Sequence, residues 1–265
     1  MRVAESRCLV VGGVRRLGRE IGLDLARCGA AVAVSSRRDS AALRDAAAAL
    51  RDAGAPGSAA VTGDVATPEG ARDLVTEAAA ALGGLDAVVF AASGPFTPTP
   101  PQEIDEASWD RSLDTIAKGF FFTACAARDR FVATAGAGEP VHGPARAREV
   151  RPDAGVIVAI TDCMGLQPWA NFAAHGAAKA AEIHLVKQLA RAWAPEGVRV
   201  CGVAPGPVDL EDDERRAATL RAAARSDWQR LVRPNAVAAA VRFCLETQGV
   251  TGVNVVVDNG ALLTS

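Results

Sequence analysis

Short apolar runs alternate with alanine-rich stretches along the whole chain. The first run, Cys8–Val11, is continuously apolar, as is typical of a strand that is buried on both faces of a sheet. Strands separated by helices of about 10–15 residues imply right-handed crossovers and therefore a parallel sheet. The predicted strands are Cys8–Val11, Ala31–Ser35, Ala59–Thr62, Asp86–Ala91, Gly155–Ile160, Val198–Val203 and Asn254–Val257.

The predicted helices lie between these strands. They cover Arg19–Cys28, Ala41–Ala53, Glu69–Leu82, Glu106–Ala127 and Ala173–Trp193. One segment, Ala133–Asp153, is rich in Gly, Pro and Arg and has no apolar period, so we interpret it as a surface insertion. The pattern predicts one α/β domain over residues 1–265, a Rossmann-type doubly wound parallel sheet with helices on both faces.

Composition excludes several classes of protein. A formal net charge of −2 gives no basic surface for nucleic acid or for an anionic membrane. No apolar run approaches the roughly 20 residues of a transmembrane helix, and Met1–Ser6 is not typical of a signal peptide. The six cysteines form no CxxC pair, and the histidines have no metal-ligand spacing. We therefore expect a cytoplasmic protein that binds no nucleic acid, membrane or metal.

A glycine-rich turn, Gly12–Gly18, lies between the first predicted strand and the first predicted helix. At this point a parallel sheet presents the N–H groups of a helix to a pyrophosphate. Glycine is needed where the backbone turns tightly and approaches a ligand without a Cβ atom. The turn therefore predicts a dinucleotide-binding site.

The end of the second strand reads Ser35-Ser36-Arg37-Arg38. A carboxylate here would accept hydrogen bonds from the ribose hydroxyl groups of NAD. Two guanidinium groups beside a serine suit a 2′-phosphate instead, through charge-assisted contacts. We therefore predict NADP(H) as the cofactor; the alternative is that Arg37 and Arg38 are only solvated surface residues.

With these motifs, the chain resembles the short-chain dehydrogenase/reductase family over its full length. Asp64-Val65 resembles the adenine-contacting pair of the family, and Lys179 matches its active-site lysine. Val203–Val208 is similar to its proline–glycine turn on the nicotinamide side, and Asp258–Gly260 to its C-terminal signature. The resemblance and the motifs above imply that the cofactor contacts Gly12, Arg16, Leu17, Gly18, Ser36, Arg37, Arg38, Asp64, Val65, Ala92, Ser93, Lys179, Pro205, Gly206 and Val208.

Within the family, the chain most resembles the pteridine-reductase branch. Arg16 gives the G-x-x-x-R-x-G form of that branch, and Asp162–Pro168 resembles its D-x-M…Q-P segment. In that segment aspartate replaces the catalytic serine of the family. The resemblance implies that Arg16, Phe96 and Trp169 contact a flat substrate, although aromatic residues near a pocket are equally common in core packing.

The active-site motif departs from the family pattern. The family uses Y-x-x-x-K, whereas this chain reads His175-Gly-Ala-Ala-Lys179 and contains no tyrosine at all. Phe172 lies where enoyl reductases of the superfamily carry their tyrosine. Ile116 aligns with the asparagine of the family's proton relay. The usual proton donor is therefore missing.

The spacing still permits a working site. His175 and Lys179 are one helical turn apart and share a face, and Asp162 ends the fifth strand at the same edge of the sheet. We predict a catalytic cluster of Asp162, His175 and Lys179. Lys179 should disfavour a charged imidazole, whereas ionised Asp162 should favour it.

Two functions remain open from the sequence. The first is an NADP(H)-dependent reductase that transfers hydride to a C=N or C=O group of a small substrate, with His175 or Asp162 as proton donor. The second is a cofactor-binding protein without redox activity, such as a non-redox cyclase, an isomerase or a regulatory partner. The missing tyrosine and Ile116 favour the second, whereas Asp162 favours the first. The family resemblance also implies a homo-oligomer, a dimer or a tetramer.

Overall fold

A seven-stranded parallel sheet forms the centre of the molecule. The computed structural model describes residues 1–94, 97–135, 153–210, 216–224 and 228–263. The strands run in the order β3-β2-β1-β4-β5-β6-β7, and every pair is parallel. Their bounds are β1 Arg7–Val11, β2 Ala31–Ser36, β3 Ser58–Thr62, β4 Ala87–Phe90, β5 Gly155–Ile160, β6 Val198–Pro205 and β7 Asn254–Val257.

Helices connect the strands on both faces of the sheet. Their bounds are α1 Arg16–Arg27, α2 Ala41–Asp52, α3 Pro68–Leu82, α4 Glu106–Leu113, α5 Gly119–Thr134, α6 Ala173–Trp193, α7 Arg216–Ala223 and α8 Pro234–Glu246. A π-helical turn, Asp114–Lys118, joins α4 to α5 without a break. Neither α7 nor α8 was predicted from the sequence.

The core is divided into two layers by the sheet. Val10 and Val158 point to one face and pack in a cluster with residues of α1, α2 and α8. Leu9 and Ile157, their neighbours along the same strands, point to the other face and pack with residues of α3, α5 and α6. This alternation confirms the predicted α/β class, a doubly wound Rossmann-type sheet with helices on both faces.

The strand order reverses at β1. The chain moves outward from β1 to β2 and β3, and then returns to place β4 on the opposite side of β1. The loops that follow β1 and β4 therefore diverge and leave a crevice at the carboxyl edge of the sheet. In open α/β sheets such a switch point is where ligands bind.

The predicted start of the insertion at Ala133 falls inside a helix. α5 continues to Thr134, so Ala133 belongs to the helix rather than to the insertion. Residues 136–152 lie outside the described part of the chain. At the far end, the carboxylate of Asp153 accepts a hydrogen bond from Arg199 Nε at 2.9 Å. No helix in the described ranges is both long enough and apolar enough to span a membrane.

Candidate active site

The glycine turn packs directly against the loop that follows β4. Gly12 adopts φ +79°, in the left-handed region. A Cβ atom on Gly12 would lie 3.0 Å from Cα of Ala92, and one on Gly18 would overlap the carbonyl oxygen of Gly12. The three backbones are therefore in contact where the crevice opens, and a side chain there would push them apart.

Arg16 is the first residue of α1, three residues before the predicted start of the helix. Its φ of +54° lies in the left-handed region, which costs a non-glycine residue about 1 kcal/mol. The prediction of a loop through Gly18 was thus wrong in this detail: Arg16, Leu17 and Gly18 form the first helical turn. Arg15 at the N-cap position makes no capping hydrogen bond. The start of a helix is a place where backbone N–H groups can bind an anion.

The end of β2 lies beside the glycine turn. The hydroxyl group of Ser35 accepts a hydrogen bond from the N–H of Gly12 at 3.3 Å. Ser36 Oγ donates to the carbonyl oxygen of Arg38 at 2.6 Å and so fixes the turn that follows the strand. Arg37 and Arg38 are exposed, and within the described residues neither forms an ion pair. Their guanidinium groups are free to bind a phosphate.

Asp64 and Val65 follow β3 at the same edge of the sheet. Asp64 Oδ1 accepts a hydrogen bond from the N–H of Ala66 at 3.1 Å, which closes the turn leading to α3. Val65 is buried, and a Cβ atom on Gly119 would lie 3.1 Å from its carbonyl oxygen. The pair is thus held between β3 and the start of α5.

Asp162 and His175 face each other across the end of β5. Asp162 Oδ1 accepts a hydrogen bond from the N–H of Met164 at 2.8 Å, as the N-cap of a 3-10 turn. This contact leaves Oδ2 directed at His175, whose Nε2 lies 3.5 Å away. The His175 side chain is almost fully buried. The separation is longer than an ordinary hydrogen bond.

Lys179 lies one turn further along α6 and is also buried. Its Nζ donates to the carbonyl oxygen of Ile160 at 2.7 Å and to Glu182 Oε2 at 2.8 Å. Glu182 is fully buried, and this burial raises the pKa of its carboxyl group to about 7, against the opposing effect of Lys179. Sequence reasoning missed Glu182, although a glutamate three residues after Lys179 shares its helix face.

Ile116 occupies the middle of the π-helical turn that joins α4 to α5. Its side chain is apolar and fully buried. This position therefore supplies no polar group to a proton relay. The turn also carries an exposed ion pair, in which Lys118 Nζ lies 3.0 Å from Asp114 Oδ1. Single π-helical turns often mark functional sites. The π-helical turn is thus present, but the residue at its centre has no polar side chain.

The turn after β6 is braced by the C-terminal signature. Pro205 ends β6, and a Cβ atom on Gly206 would lie 2.8 Å from Cα of Asp258. Asp258 accepts hydrogen bonds from the N–H groups of Gly260 at 2.9 Å and Leu262 at 2.8 Å. Val208 forms an isolated parallel bridge with Val232. Asp258 therefore supports the proline–glycine turn through local backbone contacts.

Trp169 is half-buried in the segment that leads from β5 into α6. The segment is tied to the loop after β4, because the N–H of Thr99 donates to the carbonyl oxygen of Asn171 at 2.8 Å. Phe96 lies outside the described residues. The contact of Trp169, Phe96 and Arg16 with a substrate therefore stays a prediction.

The residues at this edge fit a phosphorylated dinucleotide. The glycine turn, the first turn of α1 and the exposed Arg37 and Arg38 after β2 lie at the same carboxyl edge of the sheet. Glycine backbones and helix N–H groups suit the pyrophosphate, and guanidinium groups suit a further phosphate. Among the described residues, no cluster of His, Cys, Asp and Glu could hold a metal ion.

Comparison with known proteins defines the class. A family model described as enoyl-(acyl carrier protein) reductase matches residues 13–261. The chain belongs to the short-chain dehydrogenase/reductase family, whose members are oxidoreductases that bind a nicotinamide cofactor.

Individual relatives cover nearly the whole chain. Cis-4-hydroxycyclohexanecarboxylate dehydrogenase of Sinomonas cyclohexanicum is 32% identical and aligns with 97% of this chain and 96% of its own. The 3beta-hydroxysteroid dehydrogenase 1 of Eggerthella lenta is 30% identical over 96% of this chain and 93% of its own. A short-chain dehydrogenase from Burkholderia cenocepacia J2315, solved in complex with NADP, is 26% identical with a TM-score of 0.82, covering 99% of this chain and 100% of that chain.

Proposed function

We propose that this protein is an NADP(H)-dependent reductase that delivers hydride to a C=N or C=O carbon. The observation that carries the proposal is the pair formed by His175 and Asp162, whose facing atoms are 3.5 Å apart at the carboxyl end of β5. The pair lies at the edge of the sheet where the cofactor-binding turns converge. His175 is buried in this pair, and Asp162 Oδ2 is the carboxylate oxygen that the cap of the 3-10 turn does not use.

Each residue of the cluster has a distinct task in this proposal. Bound NADPH would supply the hydride. The accompanying proton leaves His175 Nε2, the ring nitrogen that faces Asp162, and passes to the oxygen or nitrogen of the substrate directly or through the Asp162 carboxyl group. Asp162 orients the ring through Oδ2. Lys179 uses two of its three N–H groups within the protein, which leaves one for a ribose hydroxyl group of the cofactor.

The preference for NADP(H) over NAD(H) rests on Arg37 and Arg38. Both are exposed directly after β2, where the adenine ribose of a dinucleotide lies in this type of fold. Arg16, at the start of α1, supplies a third guanidinium group near the phosphates and the substrate. The Burkholderia structure in complex with NADP supports this choice.

We propose a small cyclic substrate. The pteridine-reductase-like features, Arg16 and the Asp162 segment, favour a flat heterocycle with a C=N bond. The names of the two relatives point instead to ring compounds that carry a secondary alcohol or the matching ketone. In either case Trp169, and Phe96 from the loop after β4, would contact the ring.

A second function is favoured by two observations. Ile116 is apolar at the relay position, and Lys179 already has two partners inside the protein. These features would suit a protein that binds the cofactor without using its hydride, such as a non-redox cyclase, an isomerase or a regulatory partner.

One experiment separates the two functions. NADPH binding is measured by fluorescence, and NADPH oxidation is then followed with a panel of dihydropterins, cyclic imines and cyclic ketones. Turnover with any of them that is lost in His175→Ala but kept in His184→Ala supports the reductase; His184 is exposed on the same helix and serves as the control. Binding without oxidation across the panel supports the second function.

A further inference from the structure

Three ionisable side chains lie on the buried face of α6. His175, Lys179 and Glu182 are spaced four and three residues apart, so that they share one side of the helix. Lys179 and Glu182 form an ion pair of 2.8 Å, and Lys179 also contacts the end of β5 through the Ile160 carbonyl group. The row of buried polar side chains therefore extends from the candidate active site into the interior of the protein.

Glu182 is the least expected member of this group. Its side chain is fully buried, and its Oε1 atom has no hydrogen-bond partner within the described residues. A buried ion pair contributes little to stability compared with apolar residues of similar volume, and an unpaired buried oxygen is costly. Stability of the fold therefore does not account for a glutamate at this position.

We propose that Glu182 is a positioning residue for Lys179, an inference that rests on the proposed function. Glu182 and the Ile160 carbonyl group hold the ammonium group from two sides and leave one N–H for the nicotinamide ribose. Glu182 also determines which carboxylate of the site pairs with which basic side chain. Because it satisfies the charge of Lys179, Asp162 remains paired with His175.

Two ligands test this role in the intact protein. NADPH contains the nicotinamide ribose, whereas adenosine 2′,5′-bisphosphate carries the 2′-phosphate but lacks that ribose. Affinities are measured for wild type, Glu182→Gln and Glu182→Leu, with thermal unfolding recorded for each. Glutamine keeps an acceptor for Lys179 but removes the charge, and charge-assisted hydrogen bonds are about twice as strong as neutral ones.

We expect Glu182→Gln to weaken NADPH binding by about threefold or more, and Glu182→Leu by about tenfold, because Lys179 loses its fixed position. Both variants should bind the bisphosphate as wild type does. The matched control is Glu196→Gln, which removes the charge of a carboxylate paired with Arg128 at the opposite, amino edge of the sheet. It should leave both affinities unchanged.

Three outcomes would overturn the proposal. The first is that Glu182→Gln binds NADPH with wild-type affinity, and the second is that it binds NADPH more tightly. The third is that it loses affinity for NADPH and for the bisphosphate equally. The first two would mean that Glu182 does not help Lys179 to meet the cofactor, and the third would indicate a general distortion. If Glu182→Leu does not fold, Glu182→Gln alone decides. Failure of wild type to bind either ligand would overturn the proposed function itself.

Discussion

Asp162 Oδ2 faces His175 Nε2 at 3.5 Å, while the other oxygen of the same carboxylate is held by the N–H of Met164. The backbone contact fixes the carboxylate, so that His175 meets an acceptor in a defined place. The aspartate can therefore hold the imidazole ring in the orientation that proton transfer needs.

We predict that Asp162→Asn lowers turnover with an active substrate by roughly 10²-fold, and His175→Ala by roughly 10²- to 10⁴-fold. Asparagine keeps the hydrogen bond to Met164 but removes the charge. Steady-state kinetics with NADPH in excess measure the effect on kcat. NADPH affinity should be unchanged in Asp162→Asn, and full activity of His175→Ala would remove histidine from the mechanism.

A second prediction concerns pH and Glu182. Burial raises the pKa of this carboxyl group from 4.5 to about 7, so the folded protein binds its proton more tightly than the unfolded chain does. The resulting stabilisation is fully present below pH 4.5 and is lost as pH rises through about 7. For a fully buried group this amounts to a loss on the order of 3 kcal/mol.

Glutamine does not titrate, so Glu182→Gln lacks this contribution. Urea unfolding of both proteins between about pH 5 and pH 8 should show that wild type loses stability relative to the variant as pH rises. The contributions of the other titrating groups cancel in the difference between the two free energies of unfolding. If the difference in the free energy of unfolding between wild type and Glu182→Gln is constant with pH, Glu182 stays ionised over the whole pH range.

The sequence predicted the architecture well because apolar runs and helix periods are local signals. Cys8–Val11 and Gly155–Ile160 were placed within one residue of the observed strands. α8 was missed, although Pro234 at its first turn and the apolar spacing of Val237, Val241 and Cys244 are readable signals.

The candidate site was predictable only in part. The order of the motifs placed Asp162 and His175 at one edge of the sheet, since carboxyl ends of parallel strands meet there. The direction of the Lys179 side chain follows from its contacts with Glu182 and the Ile160 carbonyl group. These contacts depend on the packing of the folded chain, and no sequence pattern predicts them. The left-handed backbone of Arg16 was also out of reach, because arginine gives no local signal for that conformation.

Arg37 and Arg38 lead to a prediction about cofactor choice. The double variant Arg37→Ala/Arg38→Ala should lose NADPH affinity by roughly 100-fold or more, because two charge-assisted contacts of about 1.5 kcal/mol each sum to about 3 kcal/mol. NADH affinity should change little. The matched control is Arg44→Ala, since the Arg44 guanidinium group is already engaged by Asp39 at 2.6 Å. Equal effects on NADPH and NADH would contradict recognition of the 2′-phosphate by this pair.

The last prediction contrasts two glycines of α1. A Cβ atom on Gly18 would overlap the carbonyl oxygen of Gly12, whereas one on Gly22 would lie 3.4 Å from Leu50 Cδ2, a distance that the leucine can accommodate. We predict that Gly18→Ala weakens NADPH binding at least about tenfold, because the glycine turn must open to admit the methyl group. Gly22→Ala should bind NADPH normally and gain up to about 1 kcal/mol of stability from helix propensity. Fluorescence titration and thermal unfolding of both variants check this, and normal binding by Gly18→Ala would mean that the turn does not hold the pyrophosphate.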